Sequence, residues 1–296
     1  MTIHARWIHA ALVTSILGCG IAAGAGPFGP PRAVIGYGRW TVGLEYGRQT
    51  ADMESSGFYK EGYVDDTVWY SKDNRFILRD VESNTILGRI EYGLGDTWDL
   101  FARLGVSDMQ ADLAVPLSGS DGLPATQYFG GGEEFSLDHS AGLALGVGSR
   151  MTFVETGDLS LGTVFQFTWL KPSSSDVSFT DTDLVGDPIA MDLTVDLDCW
   201  EIQLAGGATL NLGNLWLYGG PFLSFIRGNL DIHGTWTDLT LGSGSIRAAH
   251  DLQEDAVFGG YVGGQWILAE NLCVHMEGQF TQDGWGIAAG GVWRLD

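Results

Sequence analysis

From Trp40 to the C-terminus, apolar residues alternate with small or polar ones. In the first such segment Trp40, Val42 and Leu44 share one face, and the residues between them are small or polar. A period of two residues is typical of a β-strand, because successive side chains point to opposite faces. The alternation therefore predicts ten strands. They run over Trp40–Gly47, Ile86–Leu94, Trp98–Val106, Ala141–Phe153, Leu161–Trp169, Trp200–Leu210, Leu215–Phe225, Phe258–Leu268, Leu272–Phe280 and Trp285–Leu295.

The connections between these segments alternate in length. The short ones are Gly95–Thr97, Glu155–Asp158, Asn211–Asn214 and Ala269–Asn271. The intervening ones are long and run over Thr50–Asn84, Ser107–Ser140, Lys171–Ala190 and Asn229–Asp255, and only the last, Thr281–Gly284, is short. This arrangement predicts an all-β fold, a closed antiparallel up-and-down barrel of about ten strands with tight turns at one end and long loops at the other.

Within these segments, nine charged or titratable residues lie on the face opposite the apolar one. They are Glu45, Arg89, Glu91, Asp99, Arg103, Glu201, His275, Glu277 and Arg294. A soluble sandwich would bury the apolar face and expose these residues. A transmembrane barrel would turn the apolar face to lipid and the charges to its lumen. The alternation alone does not separate the two folds.

A change of polarity in the sixth and seventh segments favours the membrane. With the turn taken at Asn211–Asn214, Trp200 lies opposite Phe225 on the apolar face. Further from the turn that face becomes polar, with Asp198 opposite Arg227, while the other face becomes apolar. Because lipid requires an apolar exterior and water a polar one, the strands should leave the bilayer here. These four residues are predicted to mark the membrane boundary, where aromatic side chains are enriched.

The pattern from Trp40 to Asp296 resembles bacterial outer-membrane β-barrel proteins as a broad class. Gly259–Trp266 and Gly290–Leu295 are similar to the closing hairpins of such barrels. The class usually ends on an aromatic residue, whereas this chain ends on Leu295 and Asp296. The resemblance implies an integral outer-membrane protein of a Gram-negative bacterium, with periplasmic turns, loops at the cell surface, and outer-membrane lipid and lipopolysaccharide around the barrel.

The first 25 residues are typical of a secretory signal peptide. An apolar stretch, Ile8–Ile21, precedes the small residues Ala23–Ala25. Ile16–Cys19 also resembles a lipobox, so lipidation of Cys19 stays open as an alternative. No apolar run long enough for a transmembrane helix follows. The predicted organisation is a signal peptide (1–25), a periplasmic N-terminal segment (26–39) and the barrel (40–296).

The chain is acidic, with 37 Asp and Glu residues against 15 Lys and Arg residues and a net charge of -22. Nucleic-acid phosphates are held by Lys and Arg, so nucleic acid is not an expected partner. Much of the charge lies in the long loops, where Asp176, Asp181, Asp183 and Asp187 are candidate ligands of a divalent cation. The other interpretation is that the acidic loops confer solubility and mutual repulsion, since the spacing is not that of an EF-hand. We expect no cofactor, and the sequence does not identify an extracellular ligand or envelope partner.

Ten strands predict a narrow barrel whose interior side chains nearly fill it. The inward charged residues carry both signs, so they form either an ion path or a network of salt bridges. Charges that are buried together must pair, which favours the network. A salt-bridge network corresponds to a sealed barrel, and an ion path corresponds to a narrow porin-like channel for small solutes.

Asp231-Ile232-His233 resembles the Asp-x-His pair of omptins, which are ten-stranded outer-membrane proteases. An aspartate that orients a histidine to activate water is reasonable hydrolytic chemistry. Here, however, the pair falls in the fourth long loop rather than the third. The predicted register turns Asp231 inward, near Thr194, and His233 outward, beside Asp192. We therefore expect no catalytic residues, and an omptin-like surface protease is the least favoured alternative.

Two further sets of residues have structural explanations. His275 and Glu277 share a face as two metal ligands would, but no other histidine is placed nearby, so a hydrogen-bonded lumen histidine is expected. Cys199 and Cys273 fall near opposite ends of strands that are not neighbours, so both thiols should be free. The sequence after residue 25 contains no G-x-S-x-G, H-E-x-x-H or P-loop motif.

The sequence as a whole predicts a non-enzymatic outer-membrane β-barrel. Its acidic surface loops would serve binding or envelope structure. The channel and the protease remain the alternatives.

Overall fold

A computed structural model describes residues 26–63, 68–114, 134–182, 188–238, 242–282 and 284–295. Eleven β-strands run through this part of the chain. It contains no helix that is long and apolar enough to cross a membrane. In chain order the strands are β1 (Trp40–Tyr63), β2 (Val68–Gly93), β3 (Trp98–Ala114), β4 (Glu134–Thr156), β5 (Leu159–Lys171), β6 (Ser175–Thr182), β7 (Pro188–Asn211), β8 (Leu215–Asp238), β9 (Gly242–Ala269), β10 (Leu272–Thr281) and β11 (Gly284–Leu295).

Ten of these strands close into an antiparallel barrel. Neighbours in sequence pair in the order β5-β4-β3-β2-β1-β11-β10-β9-β8-β7. The first and last strands pair from Trp40 with Leu295 upward, and β5 pairs with β7 from Leu159 with Leu210 upward. Closure removes free strand edges, which a lipid environment requires. The predicted fold class is confirmed, and β6 is an additional strand that pairs with β7.

The strands rise well beyond the segments that the alternation predicts. β1 and β2 stay paired from Trp40 with Tyr92 to Gly62 with Val68. β8 and β9 are paired up to Asp238 with Gly242. Much of what the sequence assigned to long loops is therefore β-hairpin. The predicted segments are shorter than the strands because the polarity of the two faces changes above the membrane, which interrupts the pattern of apolar and polar residues.

The pairing also changes above the membrane. β10 and β11 end at Thr281 and begin at Gly284, and above them β1 pairs directly with β9, from Glu54 with Gln253 to Tyr63 with Gly244. On the opposite side β6 continues the pairing with β7 where β5 ends. In the described part of the chain, the extracellular sheet thus has eight strands in the order β4-β3-β2-β1-β9-β8-β7-β6.

The outer face of the lower barrel is apolar. Its exposed residues include Leu44, Ile86, Leu104, Val147, Leu204, Phe258, Val262, Met276 and Ile287. A closed barrel has no other sheet to cover this face, so lipid must cover it. The short turns and both ends of the barrel chain lie together at one end, which is the periplasmic end of such barrels.

The register of β7 and β8 differs from the predicted one by two residues. Leu210 pairs with Leu217 rather than Leu215, and Trp200 pairs with Arg227 rather than Phe225. The tight turn lies one residue further along than assumed, because Leu212 N donates to Leu215 O over 2.8 Å and Gly213 has a φ of 82°. A shift of two residues keeps each side chain on its face, so Trp200 and Phe225 stay on the outer face as predicted.

The polarity of the two faces inverts at the level of Trp200. Trp200 and Phe225 are exposed on the outer face, and the Trp169 indole donates to Asp198 over 2.5 Å just above them. Arg227 is half-buried beside this level. Beyond it the inner face is apolar. Its buried residues on β7 and β8 include Leu193, Val195, Leu197, Ile226, Leu230 and Ile232.

Candidate functional site

A network of arginines and carboxylates occupies the membrane-level lumen. The carboxylate of Glu45 on β1 forms salt bridges with Arg89 at 2.6 Å and with Arg103 at 2.8 Å. One oxygen of Glu91 forms salt bridges with Arg89 and Arg150, each at 2.5 Å. The other oxygen accepts a hydrogen bond from the Thr41 hydroxyl at 2.6 Å. Every one of these side chains is buried. Every second residue of a strand points into the lumen, so acidic and basic side chains on neighbouring strands meet there.

Phe101 lies among the guanidinium groups of this network. Its ring centre is 4.3 Å from Arg89, 4.7 Å from Arg103 and 5.9 Å from Arg150. Arginine favours such stacking on an aromatic face. Arg150, which also lies 3.7 Å from Asp99, was missed in the sequence. Arg150 points into the lumen from β4, and the next residue, Met151, is exposed on the outer face. The alternation of residues therefore already indicates that Arg150 points inward.

A second polar cluster joins β5, β7 and β8. Gln203 donates to Glu201 over 2.6 Å, and Ser224 also donates to Glu201. Gln166 donates to Gln203 and accepts from Arg103 over 2.7 Å, which connects this cluster to the arginine network. Of the predicted inward residues, eight are buried in the lumen and Arg294 is half-buried at its periplasmic mouth.

Residues 26–35, here called the strap, run inside the barrel. Phe28 N and Gly29 N each donate to the carboxylate of Glu277 over 2.9 Å. Arg103 donates to Pro27 O over 2.5 Å. The sequence placed residues 26–39 in the periplasm, and that placement is corrected for the strap. Proline has no backbone N–H and cannot donate a hydrogen bond to a neighbouring strand. Side chains in the lumen therefore take the place of a neighbouring strand as hydrogen-bond partners of the strap backbone.

Phe28 anchors the strap in an aromatic pocket. Its ring centre lies 5.2 Å from that of Phe222 and 4.9 Å from that of Tyr261, and the side chain is completely buried. The wall leaves room for the strap at Gly162, where a β-carbon would lie 2.1 Å from Pro31 O. No periodic pattern marks this segment, so the sequence offered no signal for it.

The lower part of the strap is tied to β3 and β4. Val34 N donates to Asp99 over 2.7 Å, and Ala33 N donates to the Thr152 hydroxyl over 2.9 Å. Arg32 forms a salt bridge of 3.1 Å with Glu155 at the periplasmic end. The strap is therefore held from the upper lumen to the periplasmic mouth.

An apolar core fills the extracellular part of the barrel above the polar lumen. It is built from the inner faces of the protruding strands. Its members include Val81, Met109, Ala111, Leu170, Met191, Leu193, Val195, Leu197, Ile226, Leu230, Ile232, Trp236, Ile246, Ala248 and Leu252. This core makes the extracellular sheet a folded body in its own right rather than a set of loops.

Asp231 and His233 do not form the arrangement that the sequence suggested. Both side chains are exposed on the outer face, so the prediction that Asp231 turns inward is wrong. Asp231 pairs with Asp196, and His233 pairs with Thr194. The imidazole Nδ1 lies 3.7 Å from Asp196, across the strand pair. The two-residue change in register accounts for the new partners.

The remaining candidates are dispersed. Asp176 is exposed and accepts from the Thr194 hydroxyl at 2.8 Å. The side chain of Asp181, and Asp183 and Asp187 altogether, lie outside the described residues, as does the predicted signal peptide with Cys19. His275 Nε2 lies 3.9 Å from Glu45. In the described ranges no three His, Cys, Asp or Glu side chains converge as metal ligands would, and Cys199 and Cys273 are free thiols.

Three solved structures align with most of this chain at low sequence identity. No family model matches the sequence, and no curated protein matches it. The outer-membrane protease OmpT of Escherichia coli aligns at 11% identity over 87% of this chain and 97% of its own, with a TM-score of 0.49. The translocator domain of the autotransporter NalP of Neisseria meningitidis aligns at 12% identity over 99% and 96%, with a TM-score of 0.39. The Yersinia pestis attachment invasion locus protein Ail aligns at 10% identity over 88% and 99%, with a TM-score of 0.27.

The chain is an integral outer-membrane β-barrel protein. Its closed ten-stranded barrel and its apolar outer face carry that statement. At these identities and TM-scores the likeness indicates nothing about the activity of this chain.

Proposed function

We propose that the protein is a sealed outer-membrane anchor that presents a rigid extracellular β-sheet for binding or envelope structure, and that it catalyses no reaction. The filled interior carries this proposal. The arginine–carboxylate network and the strap occupy the lumen within the membrane, and the apolar core occupies it above.

Two independent fillings support a sealed barrel. Displacing the strap would uncover Glu277 and the Phe28 pocket, yet the apolar core would still lie above them. Removing one partner from the buried network costs about 3–5 kcal/mol, because the other charge is left unpaired. A solute path would require both fillings to move at once.

The outer face of the extracellular sheet supports a role in binding. Carboxylates lie on the outer face of adjacent strands, where Asp192, Asp231 and Asp251 are exposed and Asp196 is half-buried. A surface built on paired strands holds its side chains more firmly than a loop does. We infer that the partner is polar or basic. We also infer that lipopolysaccharide head groups surround the band just above Trp200, with divalent cations bridging the carboxylates to them.

Planar-bilayer recording of the purified full-length protein tests the seal. We expect no discrete conductance steps at protein levels at which an open porin in the same lipid gives many. Reproducible unitary openings from pure protein would contradict the sealed barrel and favour the channel.

A peptidase assay tests the absence of catalysis. The protein in lipopolysaccharide-containing detergent should hydrolyse a mixed peptide library no faster than the detergent blank. Activity that is lost in His233→Ala but kept in Asp176→Asn would overturn the non-enzymatic proposal, because only the first change touches the histidine that faces Asp196.

A further inference from the structure

A cavity of about 240 Å³ lies at the periplasmic end of the lumen. The strap forms one wall of it, through Gly29, Pro30, Val34 and Ile35. Strands β1, β2, β4 and β8–β11 form the rest, together with Glu270 and Asn271 in the turn between β9 and β10. It is smaller than the roughly 300–1,000 Å³ sites that hold drug-sized ligands, so it suits a small molecule.

Hydrogen-bond donors from different strands converge on this cavity. Arg294 on β11 lines its mouth, and within 4 Å it has no carboxylate partner among the described residues. The Trp216 indole nitrogen is buried and finds no acceptor in the described ranges.

The acidic groups of the lining cannot serve these donors. Glu91 is fully engaged, with Arg89 and Arg150 on one oxygen and Thr41 on the other. Glu270 is exposed at the rim and makes no salt bridge with Arg294 among the described contacts. The unsatisfied capacity of the cavity is therefore donor capacity, and a buried donor gains most from an anionic acceptor.

The lining of the cavity also contains apolar side chains. They are Val34 and Ile35 of the strap and Ile267 and Val292 of the barrel wall. A ligand that satisfies both kinds of lining residue carries an anionic oxygen group and a compact apolar body. Since the strap and the apolar core close the lumen above, the ligand enters from the periplasm.

We propose that this cavity is a binding site for small carboxylic acids with a compact apolar body, taken up from the periplasmic side. Arg294 and the Trp216 indole hold the carboxylate. The apolar residues of the strap and of β9 and β11 hold the body. This site is separate from the extracellular sheet and does not depend on what that sheet binds.

Isothermal titration of the purified full-length protein with benzoate tests the site, and benzamide serves as the neutral probe of the same shape. Benzoate should bind saturably with one site, and benzamide should bind about tenfold or more weakly, because a charge-assisted hydrogen bond is lost. Arg294→Gln should weaken benzoate binding by a similar factor. Arg39→Gln is the matched control, because Arg39 is exposed at the same end of the barrel and does not line the cavity.

Trp216→Phe provides a second variant if Arg294→Gln does not fold. It removes the indole donor and keeps an aromatic ring, so benzoate binding should fall while heat-modifiable mobility of the folded barrel in gels is unchanged. Equal affinities for benzoate and benzamide, equal loss in Arg39→Gln and Arg294→Gln, or no saturable binding of benzoate would each overturn the proposal.

Discussion

Phe28 N donates to Oε1 of Glu277 over 2.9 Å, although 249 residues separate the two in the sequence. The bond joins the strap to the strand next to the last, so it forms only when the barrel is closed around the strap. Glu277 accepts a second bond from Gly29 N on its other oxygen. The carboxylate therefore acts as the main acceptor for the buried backbone of the strap.

Glu277→Gln should loosen the strap. An amide group has one acceptor oxygen and one donor nitrogen, so one of the two backbone N–H groups loses its acceptor, at a cost of about 1–3 kcal/mol. The measurement is the rate at which a thiol reagent labels Ala33→Cys, a position that is 5% exposed. We expect faster labelling. The control is Glu270→Gln at the exposed turn, and identical rates in the two variants would contradict the anchoring role of Glu277.

Phe28→Ala should destabilise the whole barrel. The ring fills a pocket with Phe222 and Tyr261, and its removal leaves a cavity that costs about 3–5 kcal/mol. Urea unfolding in lipid vesicles measures the loss. Phe258→Ala is the comparison, because that ring is 67% exposed on the lipid-facing side, and its loss should cost much less. A Phe258 variant as unstable as the Phe28 variant would show that the strap adds no stability.

Lysine substitutions locate the outer edge of the lipid. Leu204→Lys places a charge on the outer face near the middle of the membrane-level part of β7 and should cost about 2–4 kcal/mol in vesicles. Asn229→Lys adds the same charge on the same face beside Asp198, above Trp200, and should be tolerated. Equal destabilisation by the two would place the membrane boundary higher than Trp200.

Acidification should weaken the extracellular sheet through His250. Burial lowers the pKa of this imidazole from its ordinary value of 6.5 to about 4, although the neighbouring Asp251 acts in the opposite direction. As the pH falls between these values, the unfolded chain binds a proton and the folded sheet does not. Stability is therefore complete above about pH 6.5 and is lost progressively toward pH 4, with on the order of 2 kcal/mol lost by pH 5.

Amide hydrogen exchange of β8 and β9 at pH 7 and pH 5, corrected for intrinsic rates, measures this loss. His250→Gln should remove most of the pH dependence, because a buried glutamine does not titrate. The matched control is His233→Gln on the exposed outer face, which should keep the pH dependence. If both variants behave like the unaltered protein, His250 is not the titrating group.

The two lumen clusters show how far the alternation of residues reaches. It placed Glu45 and Arg89 on the inward face, and it carried the same information for Arg150, because parity along a strand is a local property of the chain. It did not specify which arginine meets which carboxylate. That pairing depends on the register between strands, and the prediction for β7 and β8 missed the register by two residues at the Gly213 turn.

The alternation of residues is enough to predict the ten barrel strands, the inward face of Glu45 and Arg89, and the level at which the outer face changes from apolar to polar. These properties follow from a period of two and from the opposite demands of lipid and water. The pairing of β1 with β9 above the membrane and the entry of the strap into the lumen are visible only in the folded structure. Pairing between distant strands and the filling of a closed interior depend on geometry that exists only once the barrel has formed. No local pattern around Phe28 encodes its contact with Glu277.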